Sequence, residues 1–136
     1  MNVRALRGAT TANGNSRQEI FEAARELVIE VISRNSVKLE DLVCIIFSST
    51  PDLNAAFPAS AAREIGLSMV PLFGAQEVGV EGSLKRCIRL LALVNTDKGL
   101  EDLQHVYLRG ATALRPDLSQ RDSPRPGMQQ DWGDTK

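Results

Sequence analysis

Aromatic side chains are scarce: they make up 4% of 136 residues, with one Trp and one Tyr. Any core must therefore be aliphatic, and a platform of stacked rings for single-stranded nucleic acid is argued against. Histidine occurs once, at His105, and there is no Cys-x-x-Cys. No metal-ligand spacing exists, so no metal or cofactor is expected. The two cysteines, Cys44 and Cys87, both sit inside apolar runs. They read as small buried hydrophobes in a reducing compartment rather than as a disulfide. No apolar run approaches the roughly 18 residues of a membrane span, and Met1 to Arg7 has no apolar signal core. The cytoplasm is the expected location, without a membrane partner. Nor does one charge dominate: the formal net charge is −1 and the isoelectric point about 5.8. A nucleic-acid binder would normally show a basic face.

What is present is ordinary for a soluble domain with a real core: 43% apolar and 24% charged residues. Val3 to Thr11 reads as a strand that stops at the turn pair Asn13-Gly14. Arg4 and Arg7 fall on its opposite faces, so one is solvated and the other points somewhere that tolerates a cation. Ser16-Arg17-Gln18-Glu19 is a capping box. The helix it opens runs to about Arg34, with Ile20, Ala23, Ala24, Leu27, Val28, Val31 and Ile32 forming one apolar stripe. Glu22, Glu26 and Glu30 line the far side.

Lys38 to Asp41 is a short turn. Val43 to Ser48 is a continuous apolar strand of the kind buried on both faces. After the polar loop Ser49 to Asn54, Pro58 suits the first turn of a short helix, Ala59 to Ile65, that ends at Gly66. A strand from Val70 to Phe73 follows. Arg86 to Thr96 is ambiguous, because its apolar residues fit both a helical stripe and an alternating strand. Asp97 to Leu103 is a turn with a short helix, and His105 to Leu108 a strand. From Ser119 onward the chain is polar and reads as a mobile tail beyond a domain of residues 1–118.

These elements make an α+β domain, a mixed sheet of about five strands with one long helix. One long helix cannot cover both faces of such a sheet. The uncovered face is expected to meet another copy of the chain.

The stretch from Val70 to Asn95 concentrates chemistry. A short apolar strand ends in Gln76-Glu77, Gly79 and Gly82 turn the chain, and Lys85, Arg86 and Arg89 stand at the entrance of the next apolar run. A carboxylate and several cations beside two buried elements could hold a small, multiply charged anion that also carries a hydroxyl. Taken singly, Arg7 would be a solvated strand arginine, Tyr107 a core-edge tyrosine and Glu77 a surface charge.

Taken together, the motifs resemble one family. Arg4-Ala-Leu-Arg-Gly-Ala-Thr-Thr11, Thr50-Pro-Asp-Leu-Asn-Ala-Ala-Phe-Pro-Ala59, Gln76-Glu77, Cys87-Ile-Arg-Leu90, His105-Val-Tyr-Leu108 and Leu114-Arg-Pro-Asp-Leu118 are similar to the monofunctional AroH-class chorismate mutases. The match runs in register over about residues 2 to 119, with one small gap between Arg63 and Glu77. The resemblance implies a homotrimer of pseudo-α/β-barrel form with active sites in clefts between subunits. It implies the Claisen rearrangement of chorismate to prephenate, in aromatic amino-acid biosynthesis. It also implies that Arg86 to Thr96 is a strand.

The resemblance assigns roles. Arg89 faces the ether oxygen of chorismate, Glu77 accepts from the ring hydroxyl, Arg7 binds a carboxylate, and Tyr107 donates from its phenol. Phe57, Ala59, Phe73 and Leu114 form apolar walls. Arg63 and Arg115 stand near the cleft mouth, and Phe57 to Arg63 opposes the group from Phe73 to Arg89 across the subunit boundary. The rearrangement transfers no proton, so His105 is read as structural. Two positions depart from the pattern. Gly74 stands where some members have a cysteine that helps to bind the ring hydroxyl, and Ser60 where some have a basic residue. A reading from another class is a non-catalytic trimeric protein on the same scaffold that binds a small anion.

Overall fold

The computed structural model describes residues 1–114. Arg115, the boundary at residue 118 and the tail expected from residue 119 lie outside the described residues. Strand β1 (Asn2–Thr11) leads into helix α1 (Arg17–Arg34), then β2 (Leu42–Ser49), the short helix α2 (Pro58–Glu64), β3 (Leu72–Gln76), β4 (Cys87–Thr96) and β5 (Val106–Tyr107). Short 3-10 helices occupy Leu39–Asp41, Leu100–Asp102 and Arg109–Ala113.

Helix α1 begins where the capping box places it. The Ser16 hydroxyl accepts from the Glu19 amide at 3.1 Å and satisfies one of the free donors of the first turn. Ile20, Ala23, Ala24, Leu27, Val28 and Val31 are all buried, and that stripe is what holds the helix to the sheet. The sheet approaches closely at Gly8. A Cβ there would lie 3.1 Å from both Leu27 Cδ1 and Val31 Cγ2, so the absence of a side chain sets the distance between layers.

The five strands form one mixed sheet in the order β3-β2-β4-β1-β5. The central strand, β4, pairs antiparallel with β1 and β2, while β2–β3 and β1–β5 are parallel. Leu6, Ile45, Phe47, Ile88, Leu90, Ala92 and Val94 are buried beneath the helices, and burial of this apolar, mostly aliphatic set drives the fold.

Among the described residues no α-helix lies over the other face. This corrects the expectation that β2 is buried on both faces. Its Val43 and Ile46 are 40% and 37% exposed within the single chain. The apolar run is continuous because both faces are apolar, but the helices can cover only one. Strand β3 also starts later than Val70 and runs further than Phe73. Pro71 has no N–H to give the ladder; its carbonyl still accepts from the Ile45 amide at 3.0 Å, and regular pairing starts at Leu72. The ambiguous run is a strand, as the resemblance implies. Cys87 is fully buried, whereas Cys44 is only half-buried on the open face, and both are free thiols.

Candidate active site

Register across the sheet decides which side chains share the open face, because directly paired residues point the same way. One transverse row holds Tyr107, Ala9, Arg89, Ser48 and Ala75, strand by strand. The next row holds Arg7, Leu91, Ile46 and Phe73. Four of the residues singled out in the sequence, Arg7, Arg89, Tyr107 and Phe73, thus lie on one surface. Glu77 joins them one residue past β3, where its amide donates to the Ser49 carbonyl at 2.9 Å.

Arg89 and Glu77 form an ion pair, Nε to Oε2, at 2.9 Å. The same carboxylate oxygen accepts from the Ser48 hydroxyl at 2.7 Å. Glu77 is largely shielded, at 18% side-chain exposure, whereas Arg89 retains 47%. The pair is therefore held from below and open above. The guanidinium keeps N–H donors beyond the one at Nε for a bound anion.

The approach of β4 to this pair is fixed by a clasp at its start. The Thr50 hydroxyl accepts from the Cys87 amide at 2.9 Å and donates to Asp52 Oδ1 at 2.5 Å. Asp52 Oδ2 accepts from the Arg86 amide at 2.9 Å, and Arg86 itself sits in the left-handed region at φ 49°. Partial desolvation of the exposed Asp52 carboxyl would raise it, but hydrogen bonds from Thr50 and the Arg86 amide, with the charge of Lys85, leave it below the usual value. Cys87 lies beside Arg89 on the same face of the strand. Burial, opposed by Arg89 and reinforced by Glu77, pushes its thiol up to about 11. It is a neutral packing group at pH 7 rather than a nucleophile.

His105 is tied into the backbone, its Nδ1 accepting from the Arg7 amide at 3.0 Å. Arg7 itself is exposed, and its guanidinium enters none of the ion pairs found among the described residues. Arg4, on the opposite face, is half-buried with Nε donating to the Lys98 carbonyl at 3.2 Å.

A second group lies elsewhere. Phe57, Ala59, Arg63 and Gly74 line a cleft of about 790 Å³ between α2 and the β3 edge. Gly74 belongs here and not with Phe73 and Glu77, because alternation along β3 turns it to the other face. Ala59 is buried against the core, while Phe57 is 75% exposed. Arg63 Nη2 donates to the Ser60 hydroxyl at 2.9 Å. Leu114 closes the turn after Ala113, its amide donating to the Ala111 carbonyl at 3.0 Å. The cleft reaches Ser48 and Ala75 of the open-face row, but Glu77, Arg89, Arg7 and Tyr107 do not line it, so among the described residues one chain does not bring the Phe57 group onto the ion pair.

The sequence reading missed Ser48, Thr50 and Asp52 as parts of this arrangement. Thr50 and Asp52 stand in a matched motif without a role there, and for Ser48 the local signal is a serine at the end of an apolar strand, whose meaning depends on two neighbouring strands.

Comparison with known proteins gives the family of the chain. The chorismate mutase type I family profile matches residues 3–118. Chorismate mutase AroH of Thermus thermophilus is 50% identical over 117 residues, 85% of this chain and 96% of that protein. Chorismate mutase AroH of Bacillus subtilis is 44% identical over 120 residues, 88% of this chain and 94% of that protein. A solved chorismate mutase from Clostridium thermocellum superposes with a TM-score of 0.79 at 44% identity, covering 81% of this chain and 98% of that one. With a profile spanning nearly all the described residues and relatives matched along almost their whole length, the chain belongs to the type I chorismate mutases.

Proposed function

We propose that this chain rearranges chorismate to prephenate in a cleft that two copies build together, within a cytoplasmic homotrimer. The observation that carries the reading is the Glu77–Arg89 pair at 2.9 Å on an uncovered sheet face. Chorismate presents two carboxylates, an enolpyruvyl ether and a ring hydroxyl. Its rearrangement breaks the ether C–O bond as a C–C bond forms, with no proton transferred and no covalent intermediate. Catalysis then consists of holding a compact conformer and stabilising charge as it develops on the ether oxygen.

Arg89 supplies that stabilisation. Its planar fork can face the ether oxygen and a carboxylate at once while Nε remains on Glu77. Glu77 accepts from the ring hydroxyl through the oxygen not engaged by Ser48 and Arg89. Arg7 takes a carboxylate, and Tyr107 donates to it. A single chain leaves this cluster open to water, which weakens every charge interaction in it. The Phe57 to Arg63 segment of a neighbouring copy is the cover we assign. Phe57 and Phe73 are 75% and 64% exposed in one chain, and apolar surface of that size calls for a partner. Arg63, with Arg115 beyond the described residues, steers the dianion at the mouth.

Purified protein added to chorismate should abolish the absorbance of its ring diene and leave prephenate. Stable absorbance with bound chorismate would instead favour a binding protein. Sedimentation should give three times the chain mass.

A further inference from the structure

We propose that Ser48 is a positioning residue for the rearrangement, holding Glu77 and Arg89 in their working geometry; this rests on the reading that the pair faces the substrate. Ser48 stands on β2, in register with Arg89 on one side and Ala75 on the other. Its hydroxyl donates to Glu77 Oε2 at 2.7 Å, the oxygen that also takes Arg89 Nε at 2.9 Å. The shorter distance lies in the range of charge-assisted bonds.

The location makes this bond consequential. Glu77 lies past the end of β3, and the residues after it, Val78 and Gly79, are exposed. Among the described residues its carboxylate is held by Ser48 and Arg89 alone. Remove the hydroxyl and the carboxylate can turn about its own side-chain torsions and take the guanidinium with it. With the hydroxyl present, Oε2 is occupied from two sides, and Oε1 is the oxygen left to accept from the substrate. Donors already in place need no reorganisation as charge develops, so the benefit falls in the transition state.

Ser48→Thr and Ser48→Val test this, because they match in shape and differ in the hydroxyl, and both suit a strand. The threonine variant should turn over within about threefold of wild type. The valine variant should lose roughly ten- to a hundredfold in kcat, with KM within about threefold, as expected for a lost hydrogen bond to a charged group. Equal kcat for the two, or a loss confined to KM, overturns the proposal. Ser48→Ala, measured the same way, carries the test if the valine variant does not fold. Glu77→Gln runs alongside. Wild-type turnover in that variant places the fault in the reading of the pair itself, whereas a slow Glu77→Gln beside a fast Ser48→Val rejects Ser48 alone.

Discussion

Glu77 and Arg89 meet across an intervening strand. Glu77 follows β3, Arg89 lies on β4, and β2 runs between them, yet Oε2 and Nε are 2.9 Å apart. The carboxylate reaches over Ser48 to do this. A surface ion pair of two long side chains is normally worth little. This one is shielded on the glutamate side and hydrogen-bonded beneath, so it fixes a direction even where it adds little stability.

Replacing Arg89 by alanine should lower kcat by about a hundred- to a thousandfold, the ~2.7–4 kcal/mol typical of one lost preorganised donor. The far-UV circular dichroism should not change, since the side chain is 47% exposed and lies outside the core. Arg89→Lys should recover little of the loss, because a point charge cannot hold Glu77 and present a second donor in the same plane. Turnover near the wild-type level in the alanine variant would remove Arg89 from its assigned role.

Two glycines should respond oppositely to alanine. Gly66 sits at φ 107° after α2 with nothing within 4 Å, so strain and not crowding opposes a side chain. Gly66→Ala should cost about 1–2 kcal/mol in urea unfolding. Gly74 also has open space, with no left-handed φ, inside β3. Gly74→Ala should leave stability unchanged or raise it by up to about 1 kcal/mol, by restricting the unfolded chain. A clear loss at Gly74 would mean that a neighbouring chain packs against it in the assembly.

Asp52 should make stability depend on acid pH. Its folded carboxyl sits below the ordinary value of 3.8, so the charged form is favoured by folding. That contribution is complete above the unfolded value and fades as pH falls through the lower folded one. The group is exposed, so solvent screening holds the effect under about 1 kcal/mol. Asp52→Asn should be less stable than wild type near neutrality, and the difference should shrink below about pH 4. A difference that grows on acidification would overturn the clasp as drawn.

What the sequence makes legible is what local physics determines. The capping box and the apolar stripe set α1, and Ser16 and Glu19 bond as their spacing requires. Alternation separates Arg4 from Arg7, and the structure places one against the Lys98 carbonyl and the other on the open face. The run from Cys87 to Thr96 was not legible from its pattern, because a buried strand and a buried helix show the same apolar content. Only resemblance decided it. The open face of β2 differs from expectation for a related reason: Val43 and Ile46 are apolar, yet among the described residues nothing covers them. Ser48 was invisible as a functional group because its meaning comes from register with β4 and with the residue after β3. Phe73 and Gly74 stand side by side in the sequence, but alternation along β3 turns them to opposite faces.

Two inactive variants should restore each other if the site is shared between copies. Arg89→Ala damages the polar cluster, and Phe57→Asp damages the exposed apolar group at the edge, which is 75% exposed and can take the change without unfolding the chain. In a cyclic trimer each cleft takes its cluster from one chain and its cover from the next. After co-refolding at equal amounts, about one cleft in four draws an intact cluster and an intact cover. The mixture should therefore reach roughly a quarter of wild-type turnover, well above either variant alone. If instead each chain completes its own site, mixing yields only the mean of two poor enzymes, however the chains associate. The geometry favours the first outcome, because within one chain the Phe57 group lines the cleft beside α2 while Arg89 stands on the uncovered face.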